Sequence, residues 1–596
     1  MLNSPCRLAV ILPITMAFLL TCPPASAAQD NKIDAKQLLA PDQITEIAIR
    51  VADSDWKNLC NQARDMSAMF SGVDAGNPYS YVKADIVIDG AEIKAVGIRK
   101  KGLIGSNDDQ RPSLKIKFDA YEKQNPIKGL GRLTLNNNKQ DASLISQFLT
   151  YKLFRDAGLH APRSGFAKVT VNGNYLGIYT QVESVRKAFL RNSFGDDSGY
   201  LYEGTLTDFY PKTIDKLEAK TKAAEKDRSQ ITRLTMLLAR KGKLPLDELG
   251  KLIDIDDFFR FWAMEGLLRM WDGYASNQNN FFVYMNPETK LGYFIPWGAD
   301  QSFSDGGPFA RWGGGERTTS LYTNSVLANR LYNTTGMAER YRKTMNTLLT
   351  DVWNEKQILA EIDRLVELVT PHLSDAQRSV PRGMDTLRRF IKSRRDVVVK
   401  ELSDWPAAAD AQPRKPMYAI PVGSLAGSFK GEWKSRQPRA AEDAGEATFK
   451  MNLDGEEIQF AKLGAGAWPM EIRRGFGPPG RNTGAPRVSV VFTGIRESDD
   501  QQIVVSLTVN REAFETAKPG TSLKVIGRLT EGRSRGFGFP GFGGGGPMRS
   551  VSGTLELMQT GTKKDAPITG KVDLKILETR GGLFDRRGRG GRSRPR

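Results

Sequence analysis

The sequence predicts an α+β body followed by a separate all-β domain. Residues 45–130 carry short stretches that alternate apolar and polar residues, the period-two signature of antiparallel strands. Residues 212–403 are dominated by helical patterning, and "WPAAADAQPRKP" then reads as a linker over 404–416. Beyond it, runs such as "VSVVFTGI", "QIVVSLTV" and "GKVDLKIL" alternate again across 417–580, as in a β-sandwich or barrel.

The N-terminus decides the compartment. Arg7 precedes the apolar run "LAVILPITMAFLL", and Ala25-Ser26-Ala27 follows as a small-residue cleavage site, so residues 1–27 are expected to be a secretory signal peptide. No later stretch is apolar enough to span a bilayer. The protein is therefore expected in the periplasm, on the cell surface or in the medium. Lipidation at Cys22 is the less favoured reading, because Thr21 is unusual before such a cysteine.

Removing the signal leaves Cys60 as the only cysteine, which excludes an intrachain disulfide and a thiolate metal cluster. The only histidines are His160 and His372, which argues against His-ligated zinc and Ser-His-Asp chemistry. Catalysis would have to rest on carboxylates, amides, lysines and arginines, with or without an oxygen-bound metal. The formal charge is +18, and the final "RGGLFDRRGRGGRSRPR" holds seven arginines against one aspartate. Residues 581–596 read as a disordered basic tail suited to anionic envelope polymers; behind a signal peptide, nucleic acid is the poorer match.

Taken in order, "YVKADIVIDG", "IKAVGIRKKG" and "SLKIKFDAY" are strands joined by turns. Asp141 is placed to cap a helix with Leu144, Phe148, Tyr151 and Arg155 on one face, and Gly158 closes it. Asn172-Gly173 marks a hairpin in "FAKVTVNGNYLGIYTQVESV". Within the all-β part, "RRGFGPPGRNTGAP" and "SRGFGFPGFGGGGP" read as mobile loops.

The chemistry concentrates in "WDGYASNQNNFFVY", residues 271–284, where one aspartate and three asparagines precede a buried strand. "NNFFVYM", "NPETK" and "LGYFIPW" read as strand, turn and returning strand, and a hairpin brings its ends together. Asp300 would then lie near Asp272, Asn277 and Asn280, a set suited to a hard cation bridging phosphate oxygens. Phosphoryl transfer needs an aspartate at the acceptor hydroxyl, oxygen ligands for metal and a cation on the phosphates. Protein kinases take these from an Asp, an Asn five residues on, a hairpin and a second Asp, the order of Asp272, Asn277 and Asp300. Lys115 and Lys117 share one face of a strand. Either is able to reach phosphates, and both are equally readable as solvated edge lysines. Glu183 is able to pair with such a lysine or to lie on the surface.

Several segments together resemble the CotH kinase family, the spore-coat protein H-like atypical protein kinases. They are "VGIRKKG", "SLKIKFD", "LNNNKQDASLISQFLTYKLFRDAGLHAPRS", "VNGNYLGIYTQVESV", "GYLYEG" and "NNFFVYMNPETKLGYFIPWGADQSF", within residues 45–403. The resemblance implies a divergent protein-kinase-like domain that binds ATP with Mg²⁺ or Mn²⁺ and phosphorylates Ser or Thr of secreted proteins. By position, Asp272 matches the catalytic aspartate, Asn277 and Asn280 the amide-rich loop, and Lys115 the strand lysine. Arg99 and Glu183 match polar positions near the nucleotide. Two departures stand out: Gly298 occupies the place of an acid directly after the tryptophan, and Lys101 replaces the second arginine of an R-x-R-G run. The alternative these departures leave open is a catalytically inactive, kinase-like envelope or surface-binding protein.

Overall fold

The computed structural model describes residues 33–64, 76–102, 106–304, 318–436, 445–470, 486–532 and 549–581. The expected signal peptide, the two Gly/Pro-rich inserts of the β part and nearly all of the basic tail lie outside the described residues.

Strands β1 (Ile44–Val51), β2 (Val82–Ile88), β3 (Ala91–Lys101), β4 (Ser113–Lys117), β5 (Arg132–Asn136), β6 (Ser164–Val171) and β7 (Asn174–Glu183) form a closed barrel in the order β1-β2-β3-β4-β5-β7-β6. Every pairing is antiparallel except the closure of β1 on β6. The alternation read from sequence decides which side chains point inward: Ile98, Leu114, Ile116, Leu133 and Leu135 fill the barrel. Their neighbours Arg99, Lys115 and Lys117 are thereby turned outward.

Helix α1 (Ser146–Asp156) follows β5. Asp141 accepts from the Ser146 amide at 2.8 Å, and Gly158, at φ +74°, ends the helix as the sequence suggested. A second sheet runs β9-β8-β10-β11, from β8 (Tyr200–Gly204), β9 (Glu218–Ala219), β10 (Phe281–Met285) and β11 (Gly292–Pro296). Helix α2 (Ile255–Leu267), the single turn α3 (Tyr274–Asn277), α4 (Val326–Tyr332), α5 (Met337–Asp351), α6 (Glu355–Val369) and α7 (Val380–Ser403) build the helical mass around it. Phe258, Phe261, Tyr274, Phe281 and Phe294 pack at its centre.

Residues 405–416 are not a free spacer. Trp405 Nε1 donates to the Ala338 carbonyl at 3.0 Å, the Tyr332 hydroxyl to Ala407 at 2.8 Å, and Asn329 Nδ2 to Asp410 at 2.8 Å. The segment is a strap laid across α4 and α5, which corrects the linker expectation. Proline and alanine make it non-helical, but its carbonyls find donors on the helical mass.

Beyond the strap, nine strands make one antiparallel sheet. They are β12 (Tyr418–Glu432), β13 (Gly445–Leu453), β14 (Glu456–Ile458), β15 (Phe460–Met470), β16 (Arg487–Arg496), β17 (Gln502–Asn510), β18 (Thr521–Glu531), β19 (Arg549–Gln559) and β20 (Pro567–Arg580). The order is β14-β13-β12-β20-β19-β18-β17-β16-β15. The sheet curls until Trp433, just past β12, bridges Ala467 of β15, and Phe429, Phe449, Phe492 and Leu574 fill its interior. Of the two forms expected, this is the barrel-like one.

Candidate active site

The hairpin β10–β11 does what its sequence suggested. Phe281 pairs with Pro296, and the Trp297 amide donates to the Asn280 carbonyl at 3.0 Å, so the segments 272–280 and 297–300 meet. The loop is shaped from below by Glu265 of α2, which is wholly buried. Its carboxylate oxygens accept from the Tyr274 amide at 2.7 Å and the Ala275 amide at 2.8 Å, which starts the single turn α3. Burial pushes the Glu265 carboxyl up to about 8, against the two amide bonds. Gly273 lies so close to this carboxylate that a Cβ there would sit 2.2 Å from Oε1.

Gln278 and Asn280 take left-handed backbone, φ +53° and +52°, and this turns the amide side chains inward. Asn277 Nδ2 donates to Asp272 Oδ1 at 2.5 Å, and Asn279 Nδ2 to the same oxygen at 3.1 Å. Asn280 Nδ2 donates to Oδ2 at 2.8 Å. Three amides thus converge on one half-buried aspartate. Burial raises its carboxyl to about 6, while Asn277 and Asn279 pull it down and the Asp300 charge pushes it up again.

Asp300 sits in a 3₁₀ turn, Ala299–Gln301, that Gly298 introduces at φ +53°. Burial raises its carboxyl, opposed by Lys101 and by a hydrogen bond from Asn136. Tyr151 of α1 feels the backbone of Gly298 and Ala299 and the charge of Asp300, and this helix packs against the Ala299–Gln301 turn. A Cβ at Gly298 would come within 2.5 Å of Asn280 Oδ1 and 2.7 Å of Cγ. An acid at 298 is therefore incompatible with the amide arrangement around Asp272 as it stands. Asp300 is the carboxylate this turn can present.

The outer wall of the barrel faces this hairpin. Arg99 and Lys115 are register partners across β3 and β4, so Arg99, Lys101, Lys115 and Lys117 share one face. Lys115 is pushed down to about 7 by burial; Glu203 of β8 opposes this, and Lys101, Arg99 and Lys220 reinforce it. Burial works against the Glu203 charge, but Lys220, 2.5 Å away, and Lys115 hold its carboxyl below the usual range. Lys101 lies between the two acids: burial lowers it, and Asp300 and Glu203 hold it up. Its Nζ is 6.0 Å from the Trp297 ring centroid.

The structure corrects two expectations, for Glu183 and Asn277. Glu183 is not with the lysines. It pairs in the register with Leu133, on the inward-facing side of the wall, and binds Arg163 through bonds of 2.7 and 3.0 Å. The acid whose charge acts on Lys115 is Glu203, itself bound to Lys220 at 2.5 Å; it stands inside the quoted "GYLYEG" but carried no spacing signal of its own. Asn277 does not offer its amide oxygen to a metal ion, because Oδ1 accepts from the Arg414 guanidinium at 3.1 Å. Lys117 lies on the expected face, beside Asp119 at 3.8 Å. Asn136, the last residue of β5, stabilises the charged form of Asp300 from the barrel side. Among the described residues no group of three or more His, Cys, Asp or Glu gathers in one place. The oxygen donors at the site are two carboxylates and amides.

Residues 98–405, just over half of the chain, match the CotH kinase protein family, and the chain belongs to it. It is 25% identical over 320 residues to the inner spore coat protein H of Bacillus subtilis (strain 168), covering 50% of this chain and 84% of that protein. It is 22% identical over 260 residues to spore coat protein homolog 1 of Rhizopus delemar, covering 40% of this chain and 42% of that one. Among solved structures, the Helicobacter pylori proinflammatory kinase CtkA overlaps 52% of this chain and 95% of its own at 10% identity. Its TM-score of 0.27 is too low to carry a fold comparison.

Proposed function

We propose that this is an exported CotH-type protein kinase that transfers the γ-phosphate of ATP to Ser or Thr hydroxyls of secreted or envelope proteins. The single observation that carries the reading is Asp272, oriented by three amides and set opposite Asp300 and a lysine-bearing wall. Asp272 takes the proton of the acceptor hydroxyl as the oxygen–phosphorus bond forms and the bond to ADP breaks. A carboxyl pushed up to about 6 is a better proton acceptor than an ordinary aspartate and is still charged at neutral pH. Lys101 and Lys115 neutralise the phosphate oxygens, with the Glu203 charge favouring the ammonium form of both. Arg99 and Lys117 flank them on the same face.

Mg²⁺ or Mn²⁺ would be held by Asp300 with Asn280 Oδ1, few ligands being enough because such ions keep phosphate oxygens and waters around them. When bound, the cation supplies charge neutralisation on the phosphates. Export rests on the apolar run and small-residue site at the N-terminus, with relatives named as spore coat proteins in support. The basic tail is suited to anionic envelope polymers.

The test is Mg·ATP binding by calorimetry and autophosphorylation with radiolabelled γ-phosphate, for wild type and Asp272→Asn. Expected are ATP affinities within about threefold of each other and transfer lowered by about a hundredfold or more. Absence of binding and transfer in wild type, with either metal, would end the kinase reading. Gly298 favours a second reading, a kinase-like surface-binding protein without transfer. ATP binding without transfer in wild type would support it.

A further inference from the structure

The strap that leaves α7 does more than connect. Its Arg414 side chain is inserted behind the Asp272 loop, where its Nε donates to Gln278 Oε1 at 3.0 Å. Nη1 reaches Asn277 Oδ1 at 3.1 Å, and Nη2 the Asn277 carbonyl at 2.5 Å. The contact is reciprocal. Gln278 Nε2 donates to the Arg414 carbonyl at 2.8 Å and to Asp208 Oδ2 at 2.8 Å. The Tyr210 hydroxyl donates to the same carbonyl at 3.2 Å, and the Arg414 amide donates to Asn324 at 2.8 Å.

This has a specific consequence for Asn277. A guanidinium only donates, so the Asn277 atom facing it must be the amide oxygen. The amide nitrogen is then committed to the other side, where Asp272 Oδ1 receives it at 2.5 Å. Arg414 therefore sets which way round Asn277 stands. The charged groups around the guanidinium are Asp208 and Asp272, with the Tyr210 hydroxyl beside them. Burial lowers Arg414 only to about 10, so it remains a cation at neutral pH.

We propose that Arg414 is a positioning residue for Asp272, acting through Asn277 and supplied by chain that lies beyond the region matched to the family. The match ends at residue 405, nine residues before Arg414, and β12 begins four residues after it. The catalytic loop is thereby tied to the entrance of the β domain. The inference rests on the kinase reading for what Asp272 does, but the tie itself can be measured without any activity.

The experiment compares full-length Arg414→Gln, Arg414→Lys, Asn277→Ala and the Arg414→Gln/Asn277→Ala double variant. Rates are expressed per ATP-binding site, so that loss of folded protein is not counted as loss of rate. Arg414→Gln is expected to lower kcat by about tenfold or more with KM for ATP within about twofold. Arg414→Lys should recover part of the rate, since an ammonium can reach Asn277 but cannot span to Gln278. The double variant should fall less than about twofold below the slower single variant, because both remove one linkage.

Hydrogen–deuterium exchange is the activity-independent arm. The amides of Asn277 and Asn279 donate to Gly273, and that of Gln278 to Tyr274. Arg414→Gln should speed their exchange while α5 to α7 stay protected. Unchanged exchange together with unchanged kcat would overturn the proposal, as would fully additive losses in the double variant. A wild type that transfers no phosphate, yet shows the exchange effect, would sink the kinase reading and leave the Arg414 tie standing.

Discussion

Two residues carry the most information about the site. Gly298 looks in sequence like the loss of an acid, but its left-handed backbone and its contact with Asn280 give it a positive task. Gly298→Asp is expected to lower stability by about 1–3 kcal/mol, from a side chain forced to positive φ. It should also displace Asn280 and reduce phosphate transfer further. Thermal unfolding and transfer measured together check this, and a gain of metal-dependent transfer at unchanged stability would refute it. Glu265 is the second. Its carboxyl is raised from 4.5 to about 8 by burial, so the folded state binds the proton more tightly than the unfolded chain. The resulting stability is complete below the unfolded value and is lost as pH rises through the folded one. Denaturant unfolding of wild type against Glu265→Gln should therefore diverge between about pH 5 and pH 8, by no more than about 1.4 kcal/mol per pH unit. Parallel curves would show that Glu265 does not titrate in this window.

At the scale of elements, the outward face of β3 and β4 and the facing strand β8 make one charged wall, whereas Glu183 of β7 belongs to a separate pair. The two carboxylates should separate in experiment. Glu203→Gln is expected to weaken ATP binding of the folded protein by about tenfold, because it removes the negative charge beside Lys115 and Lys220. Glu183→Gln leaves Arg163 without its bidentate partner and should cost a few kcal/mol of stability, about 3 or more, with ATP affinity kept in the folded fraction. Calorimetric ATP titration beside chemical unfolding distinguishes them. Loss of ATP affinity in a fully stable Glu183→Gln protein would return that residue to the nucleotide site. The Asp272–Asp300 approach was legible beforehand because strand alternation and a short polar turn specify a hairpin, and a hairpin joins its ends whatever the rest of the fold does. The influence of Glu203 on Lys115 was not, since it depends on how a closed barrel seats against a second sheet.

At the scale of the whole molecule, the body and the β domain have separate apolar cores, joined by a strap whose bonds are mostly to the body. Scanning calorimetry should resolve two transitions, and Arg414→Gln should lower only the body's, by a few degrees. A single cooperative transition would show that the cores are coupled more tightly than the strap implies. The sequence by itself determined the order of α+β body and all-β domain, the hairpin, the amide-rich loop and the family resemblance, because periodicity, turn chemistry and contiguous motifs are local properties. Only the tertiary structure decided that the charge of Glu203 rather than Glu183 acts on Lys115 and that the Asn277 amide oxygen is taken by Arg414. It also decided that Gly298 lies against Asn280 and that the expected linker reaches back to the Asp272 loop. Each of these is a contact between segments far apart in the chain, or a backbone angle such contacts impose, and no local pattern encodes which distant charge or amide will arrive.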